Sequence, residues 1–129
     1  MVYALVDLRD SWHAQVVDWW ERQLSEVLLP ASIVPEVAYL LARRLGSRAE
    51  AHFIRNVADE EFAVEPLESD DWHRAASLMD AYSDLGLGFV DASVLAMAER
   101  LGVREIATTD RRHFSVVRPR HVERLRLVP

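Results

Sequence analysis

Apolar side chains recur at helical spacing along most of the chain. Four of them, at intervals of four residues, predict a first long helix over residues 11–24: Trp12, Val16, Trp20 and Leu24. Ser11 is a suitable N-cap for this helix. The same periodicity predicts four further helices. The first begins at Pro35 and ends before Gly46, and the second occupies residues 47–58. The third begins at Ser69, and the fourth extends from Phe89 to Leu101. The helix after Ser69 has an apolar face of Trp72, Ala75, Ala76 and Met79.

Short apolar segments lie between these helices and predict strands. The strongest are residues 27–30, 62–67 and 105–108, and the weaker ones are Val116–Val117 and residues 125–128. Strands that alternate with helices are typical of a parallel sheet with helices on both faces. Because the chain has 129 residues and no internal repeat or Gly/Ser-rich linker, we predict one α/β domain over residues 1–129.

The composition indicates a protein with a hydrophobic core. Half of the residues are hydrophobic and 28% are charged, which excludes a disordered chain. No apolar run approaches the roughly 20 residues of a membrane helix, and Asp7 comes too early for a signal peptide. The absence of Cys excludes disulfide scaffolds and thiolate metal sites, and it predicts a reducing, cytoplasmic location.

Charge is distributed unevenly along the chain. The net charge is −6, all 15 basic residues are Arg, and there is no Lys. Residues 1–99 hold seven Arg and eighteen acids, whereas residues 100–129 hold eight Arg and three acids. The C-terminal segment is therefore basic although the whole chain is acidic, and this asymmetry is compatible with binding to a nucleic acid.

Two aspartates lie where an ordinary surface acid is not expected. Asp91 is in the first turn of the helix over residues 89–101, on its apolar side. A carboxylate there is costly unless it is hydrogen-bonded, paired or bound to a metal; the alternative is a helix-start acid that binds backbone amides. Asp110 follows the third predicted strand, where ligands gather in parallel sheets; the alternative is an ordinary turn aspartate.

Two more acids are candidates for the same group. Glu36 follows Pro35 in the first turn of its helix, and Asp84 lies in the loop before Asp91. For Glu36 the alternative is an acid that compensates the helix dipole, and for Asp84 it is an ordinary solvated loop acid. Carboxylates gathered at one sheet end repel one another unless a hard cation neutralises them, and Mg²⁺ or Mn²⁺ prefers oxygen ligands. The reaction class that uses such a site is metal-assisted phosphodiester hydrolysis.

Three segments resemble a known family, in the same order: Leu29–Gly46, Tyr82–Gly102 and Ile106–Phe114. Residues Leu8–His13 are similar to the loop that leads into that family's early helix. The family is that of the PIN-domain ribonucleases, and the resemblance is greatest to the VapC toxins of bacterial toxin–antitoxin pairs. It covers essentially the whole chain and implies a three-layer α/β fold, in which helices flank a parallel sheet.

The resemblance also implies roles for individual residues. The second, third and fourth acids of the family's site correspond to Glu36, Asp91 and Asp110, which would hold Mg²⁺ or Mn²⁺, Asp91 as a direct ligand. Asp84 matches an acid that is often present in the same loop. The hydroxyl of Thr108 or Thr109 would support the site. The residues that would flank the cleft, unless they are ordinary surface residues, are Arg111, Arg112 and His113.

One part of the family pattern is missing from this sequence. The family begins with a strand that ends in Asp, followed by a short helix that Val2–Asp7 matches, so the first strand and its metal-binding Asp are absent. Either the sequence starts too late, or the protein is a degenerate copy. We favour the late start, because a working protein would not tolerate the gap that loss of the strand leaves. Upstream in-frame codons should then encode an apolar strand that ends in Asp-Thr or Asp-Ser.

The function that the resemblance implies is that of a Mg²⁺-dependent endoribonuclease, the toxin of a VapBC-type pair. Its partners would be RNA, a VapB-like antitoxin and a second copy of the chain. The Arg-rich tail would neutralise RNA phosphates or bind the antitoxin. The exposed members of Trp12, Trp19, Trp20 and Trp72 would anchor such a partner, unless these residues belong to the core. The alternative is a catalytically inactive PIN-like module that binds an antitoxin or RNA. A receiver-like phosphoacceptor domain is disfavoured because the chain has no Lys.

Overall fold

The structure is a computed structural model that describes residues 1–24 and 26–129. These residues form two compact units, Met1–Pro66 and Leu67–Pro129, and each unit combines helices with a pair of parallel strands. The predicted alternation of helices and parallel strands is therefore confirmed, whereas the single domain over residues 1–129 remains a prediction. In the described part of the chain, no helix is long and apolar enough to cross a membrane.

The described residues of the first unit form helices and strands close to those that the sequence predicts. In chain order they are α1 (Val2–Val6), α2 (His13–Glu21), β1 (Leu28–Pro30), α3 (Val34–Leu45), α4 (Ser47–Ala58) and β2 (Ala63–Glu65), with a 3₁₀ turn at Ala31–Ile33 before α3. β1 and β2 pair in parallel, and Leu29 lies opposite Val64. The main difference is α2, which is shorter than predicted.

Asp10, rather than Ser11, controls the start of α2. Its carboxylate accepts the N–H of Trp12 at 2.8 Å, and its carbonyl accepts the N–H of His13 at 3.0 Å. An aspartate that satisfies the backbone in this way competes with helix formation at the following residues. The prediction of Ser11 as the N-cap is therefore wrong, and the helix begins at His13.

The core of the first unit forms where α3 and α4 pack against each other. The buried residues of this cluster are Leu29, Val37, Ala38, Leu41 and Phe53. Phe62 adds aromatic contacts, because its ring centroid lies 6.1 Å from that of Phe53 and 5.6 Å from that of Trp20. The apolar face of α3 is thus buried, whereas α4 buries Phe53 and leaves Ile54 43% exposed. This packing supplies most of the stability of such short helices.

The second unit is centred on a buried helix. Its elements are α5 (Ser69–Ala81), α6 (Phe89–Leu101), β3 (Glu105–Ala107) and β4 (Arg126–Val128), with a 3₁₀ turn at Ser83–Leu85. β3 and β4 pair in parallel, and Ile106 lies opposite Leu127. α5 packs against α6, and residues 92–98 of α6 are all buried. This burial explains why α6 is apolar around most of its circumference.

The Val116–Val117 segment is a turn, so the strand predicted there is wrong. The N–H groups of both valines donate to the carbonyl of His113, each at 3.0 Å. A backbone that bonds to itself in this way cannot pair with a neighbouring strand. Val117 is 2% exposed, so the apolar character of the segment reflects burial of a side chain rather than a strand.

Two ion pairs join α5 to α6. The guanidinium of Arg74 donates to both carboxylate oxygens of Glu99, at 2.6 and 2.8 Å. The Nε of Arg100 donates to both oxygens of Asp71, at 3.1 and 2.9 Å. Burial would raise the pKa of Glu99, but the hydrogen bonds from Arg74 and from the N–H of Arg120 outweigh it, so this pKa lies below its usual value.

Acidification is expected to weaken the second unit through Glu99. Because its pKa is lower in the folded protein than the reference value of 4.5, the contribution of Glu99 to stability is complete above that pH. It is lost as the pH falls through the folded pKa. Urea unfolding of the parent and of Glu99→Gln, from about pH 7 to about pH 3, measures this contribution. The parent should lose stability more steeply in acid than the variant, and parallel pH profiles would contradict the prediction.

Candidate active site

Asp91, the third residue of α6, is the central acid of the candidate site. Its side chain is 31% exposed, and its Oδ2 accepts a hydrogen bond from Nδ1 of His113 at 2.5 Å. In the part of the chain that the structure describes, Oδ1 has no hydrogen-bond partner. The carboxylate therefore does not bind the amides of the helix start, which was the alternative explanation. One oxygen is held, and the other is available to a ligand.

His113 reaches Asp91 from the turn that follows β3. The side chains of Phe114 and Val117, which are 7% and 2% exposed, anchor this turn. The ring of His113 is itself only 13% exposed, and its Nε2 is buried without a hydrogen-bond partner among the described residues. His113 is thus not an ordinary surface residue, the alternative that the sequence left open.

Asp110 forms a tight turn shortly after β3. Its Oδ1 accepts the N–H of Arg112 at 3.0 Å. The hydroxyl of Thr108 accepts the N–H of Asp110 at 3.1 Å and donates to its carbonyl at 2.9 Å. Thr108 therefore supports the backbone of Asp110 rather than its carboxylate. Asp110 is exposed, so the turn presents this acid to solvent.

Glu36 and Asp84 are the other two acids that the sequence singled out. Glu36 lies in the first turn of α3, in the first unit, and is exposed. Burial lowers the pKa of the nearby Met1 amino group, and the charges of Asp10 and Glu36 partly offset this effect. Asp84 is exposed in the 3₁₀ turn of the second unit. A common site for Glu36 and the acids of the second unit stays a prediction.

The donor chemistry around Asp91 fits a hard divalent cation. Asp91 presents one carboxylate oxygen to a ligand, and oxygen is the ligand atom that Mg²⁺ and Mn²⁺ prefer. Among residues 1–24 and 26–129, no three His, Asp or Glu side chains are grouped so that they could hold a metal by themselves. Asp91 fits as one ligand of such a cation, which commonly keeps several water ligands.

An exposed aromatic pair lies on the two long helices of the second unit. Trp72 of α5 is 54% exposed and Phe89 of α6 is 36% exposed. Their rings stack with centroids 5.1 Å apart and planes inclined at 17°. Of the apolar face predicted for α5, Ala75 is buried and Met79 is half-buried, but Trp72 and Ala76 are exposed, and Leu78 completes the buried face. Trp72 is therefore available to a partner.

The contact between His113 and Asp91 is the feature of the site that sequence reasoning missed. The two residues are 22 positions apart, so neither helical nor strand periodicity relates them. A local signal does exist, because Phe114 is an apolar residue within a run of polar ones. A buried anchor there draws its neighbour His113 toward the core.

Comparisons with known proteins identify the family of the chain. The family model described as PIN domain matches residues 1–118. Ribonuclease VapC26 of Mycobacterium tuberculosis (strain ATCC 25618 / H37Rv) is 30% identical over 126 residues, which cover 98% of this chain and 93% of VapC26. The crystal structure of M. tuberculosis VapC20, described as a Sarcin-Ricin loop cleaving toxin, matches with a TM-score of 0.74 and 23% identity, over 80% of this chain and 79% of VapC20. The chain therefore has the α/β PIN fold, as predicted, and belongs to the PIN-domain family.

Proposed function

We propose that this protein is a metal-dependent endoribonuclease of the VapC toxin type. The family and the 30% identity to Ribonuclease VapC26 over 98% of the chain support this proposal. The observation that carries it is the Asp91 carboxylate, which His113 holds through one oxygen while the other has no partner among the described residues. A partly buried carboxylate in a fixed orientation is typical of a group that binds a cation or a reacting atom.

The proposed catalytic group consists of three acids. Asp91, Asp110 and Glu36 would hold Mg²⁺ or Mn²⁺, and Asp84 is a further candidate ligand. Such a cation, when bound, neutralises phosphate charge and lowers the pKa of water. The chain's own carboxylates act beside it, since Glu36 and Asp110 can accept hydrogen bonds from the attacking water, orient it and take up its proton.

The basic C-terminal segment is proposed to contact the RNA backbone. Its exposed arginines include Arg112, Arg118, Arg120 and Arg124. Guanidinium groups bind phosphates bidentately, and each phosphate contact releases counterions from the nucleic acid. These side chains therefore offer the positive charge that an acidic catalytic group lacks.

Two protein partners are part of the proposal, a VapB-like antitoxin and a second copy of the chain. The exposed pair of Trp72 and Phe89 is a suitable anchor for the antitoxin, because aromatic side chains dominate the binding energy of many interfaces. A cytoplasmic location fits an RNA substrate and a chain without Cys.

Cleavage of a bacterial RNA preparation tests the proposal. The protein is incubated with RNA in Mg²⁺, in EDTA, and in EDTA followed by excess Mg²⁺, and the new RNA ends are mapped by sequencing. We expect discrete cleavage in Mg²⁺, none in EDTA, and recovery when the cation is restored. Titration calorimetry with Mg²⁺ runs in parallel. RNA binding without cleavage, together with no Mg²⁺ binding, would instead support the inactive binding module.

A further inference from the structure

α5 and α6 each carry an aspartate at the third helical position, and the two side chains behave differently. Asp71 of α5 accepts the N–H of its N-cap residue, Glu68, at 3.0 Å, which completes a capping box. Asp91 occupies the same position in α6, but within the described residues it makes no such bond to its N-cap residue, Gly88. Its Oδ2 is bound to His113 instead. Position in the helix alone therefore does not determine where the carboxylate points.

His113 is the group that the Asp91 carboxylate contacts in place of the helix start. An ionised carboxylate only accepts hydrogen bonds, so Nδ1 of His113 is the donor. The ring is 13% exposed, and a hydrogen bond to a carboxylate is stronger in such water-poor surroundings than in solvent. Since Nε2 has no partner in the described part of the chain, Asp91 is the polar anchor of the ring.

The backbone around His113 keeps this donor in place. The carbonyl of His113 accepts the N–H groups of Val116 and Val117, each at 3.0 Å. The side chains of Phe114 and Val117, near the two ends of the turn, are 7% and 2% exposed. Both ends of the turn are therefore anchored by a buried side chain. A donor on a closed and anchored turn has the rigidity that is needed to orient a ligand in advance.

From this geometry we infer that His113 is a positioning residue, which holds Oδ2 of Asp91 and thereby directs Oδ1 toward a divalent cation. The inference rests on the proposed function. Without the His113 donor, the carboxylate would rotate toward the N–H of Gly88 and form the capping bond that Asp71 forms in α5. Partners that orient a metal ligand in this way typically change metal affinity by about 10- to 100-fold.

Three variants separate this role from a general effect on folding. His113→Leu fills the place of the ring without a donor, whereas His113→Asn keeps one, because the amide nitrogen is as many bonds from Cβ as Nδ1 is. His121→Leu is the matched control. His121 is another half-buried histidine of the second unit, and its Nε2 bonds to the carbonyl of Val103 at 2.6 Å. Val103 lies just after the C-terminal end of α6, whereas Asp91 lies at the N-terminal end of this helix.

The readouts are Mn²⁺ affinity by titration calorimetry, RNA cleavage, and thermal unfolding without metal. We expect His113→Leu to weaken Mn²⁺ binding by about 10- to 100-fold and His113→Asn to stay within about threefold of the parent. The unfolding temperature of His113→Leu should stay near that of the parent, because the Asp91 carboxylate can then take the N–H of Gly88 as its donor, whereas His121→Leu removes the donor that the carbonyl of Val103 has in the parent. His121→Leu should lower the unfolding temperature and leave Mn²⁺ affinity unchanged.

The possible failures are distinguishable. Equal Mn²⁺ affinity in the parent and His113→Leu, or equal losses in His113→Leu and His113→Asn, would overturn the positioning role and leave the proposed function intact. A loss of Mn²⁺ affinity in His121→Leu as large as that in His113→Leu would also overturn it. A parent protein that neither binds Mn²⁺ nor cleaves RNA would overturn the proposed function and, with it, this role.

Discussion

Replacing Asp91 with Asn is expected to reduce the rate of RNA cleavage by about 100-fold or more. The substitution keeps the shape of the side chain and removes its negative charge. Nδ1 of His113, which donates to Oδ2 in the parent, would select the amide oxygen as its acceptor. The NH₂ group would then occupy the position of Oδ1 and present a donor where a cation needs an acceptor. The variant thus loses both the charge and the lone pairs that face the ligand.

Single-turnover cleavage of an RNA that the parent cleaves measures this effect, with thermal unfolding as the check on folding. Asp80→Asn is a matched control, since Asp80 is an exposed acid near the end of α5 in the same unit. The control should cleave at the parental rate. If Asp91→Asn also cleaved at that rate, Asp91 would not belong to the catalytic group and its assignment as a metal ligand would be wrong.

Replacing Arg100 with Met is expected to lower the free energy of unfolding by about 3 to 5 kcal/mol. The Nε of Arg100 lies 3.1 and 2.9 Å from the two carboxylate oxygens of Asp71, whose side chain is 2% exposed. Methionine retains much of the aliphatic packing of the arginine but leaves the buried carboxylate without its counter-charge. The N–H of Glu68, which also donates to Asp71, compensates only part of that loss.

Urea unfolding near neutral pH tests this expectation. The control is Arg22→Met, because Arg22 pairs with Asp18 on the surface, with side chains 75% and 55% exposed. An exposed pair of this kind contributes about 0.5 kcal/mol or less. Adding Asp71→Asn to Arg100→Met should restore part of the stability, since the unpaired charge is then gone. A loss in Arg100→Met no larger than in the control would show that burial does not strengthen the pair.

The helices with strong periodicity were predicted almost to the residue. α4 occupies Ser47–Ala58 and α6 occupies Phe89–Leu101, as their apolar patterns indicate. Gly102 ends α6 in the left-handed conformation, with φ of 68°, which only glycine adopts without strain. These features depend on residues that are neighbours in the chain, so the sequence is sufficient to reveal them.

The errors arose where a nearby polar group competes for the backbone. Asp10 binds the N–H of Trp12 and so replaces Ser11 as the residue that organises the start of α2. The carbonyl of His113 binds both amides of Val116–Val117, although β-branched residues favour strands. Such competition depends on the local path of the chain, which the pattern of apolar residues does not specify.

By itself, the sequence determined the α/β class, the principal helices and strands, the basic C-terminal segment, and the choice of Asp91 and Asp110 as unusual acids. Only the tertiary structure showed where the acidic side chains point. Asp71 and Asp91 are both acids in the first turn of a helix, yet one is buried against Arg100 and the other is bound to His113. These partners lie 29 and 22 residues away along the chain. Contacts over such separations depend on how whole elements pack together, which local propensity and periodicity do not encode.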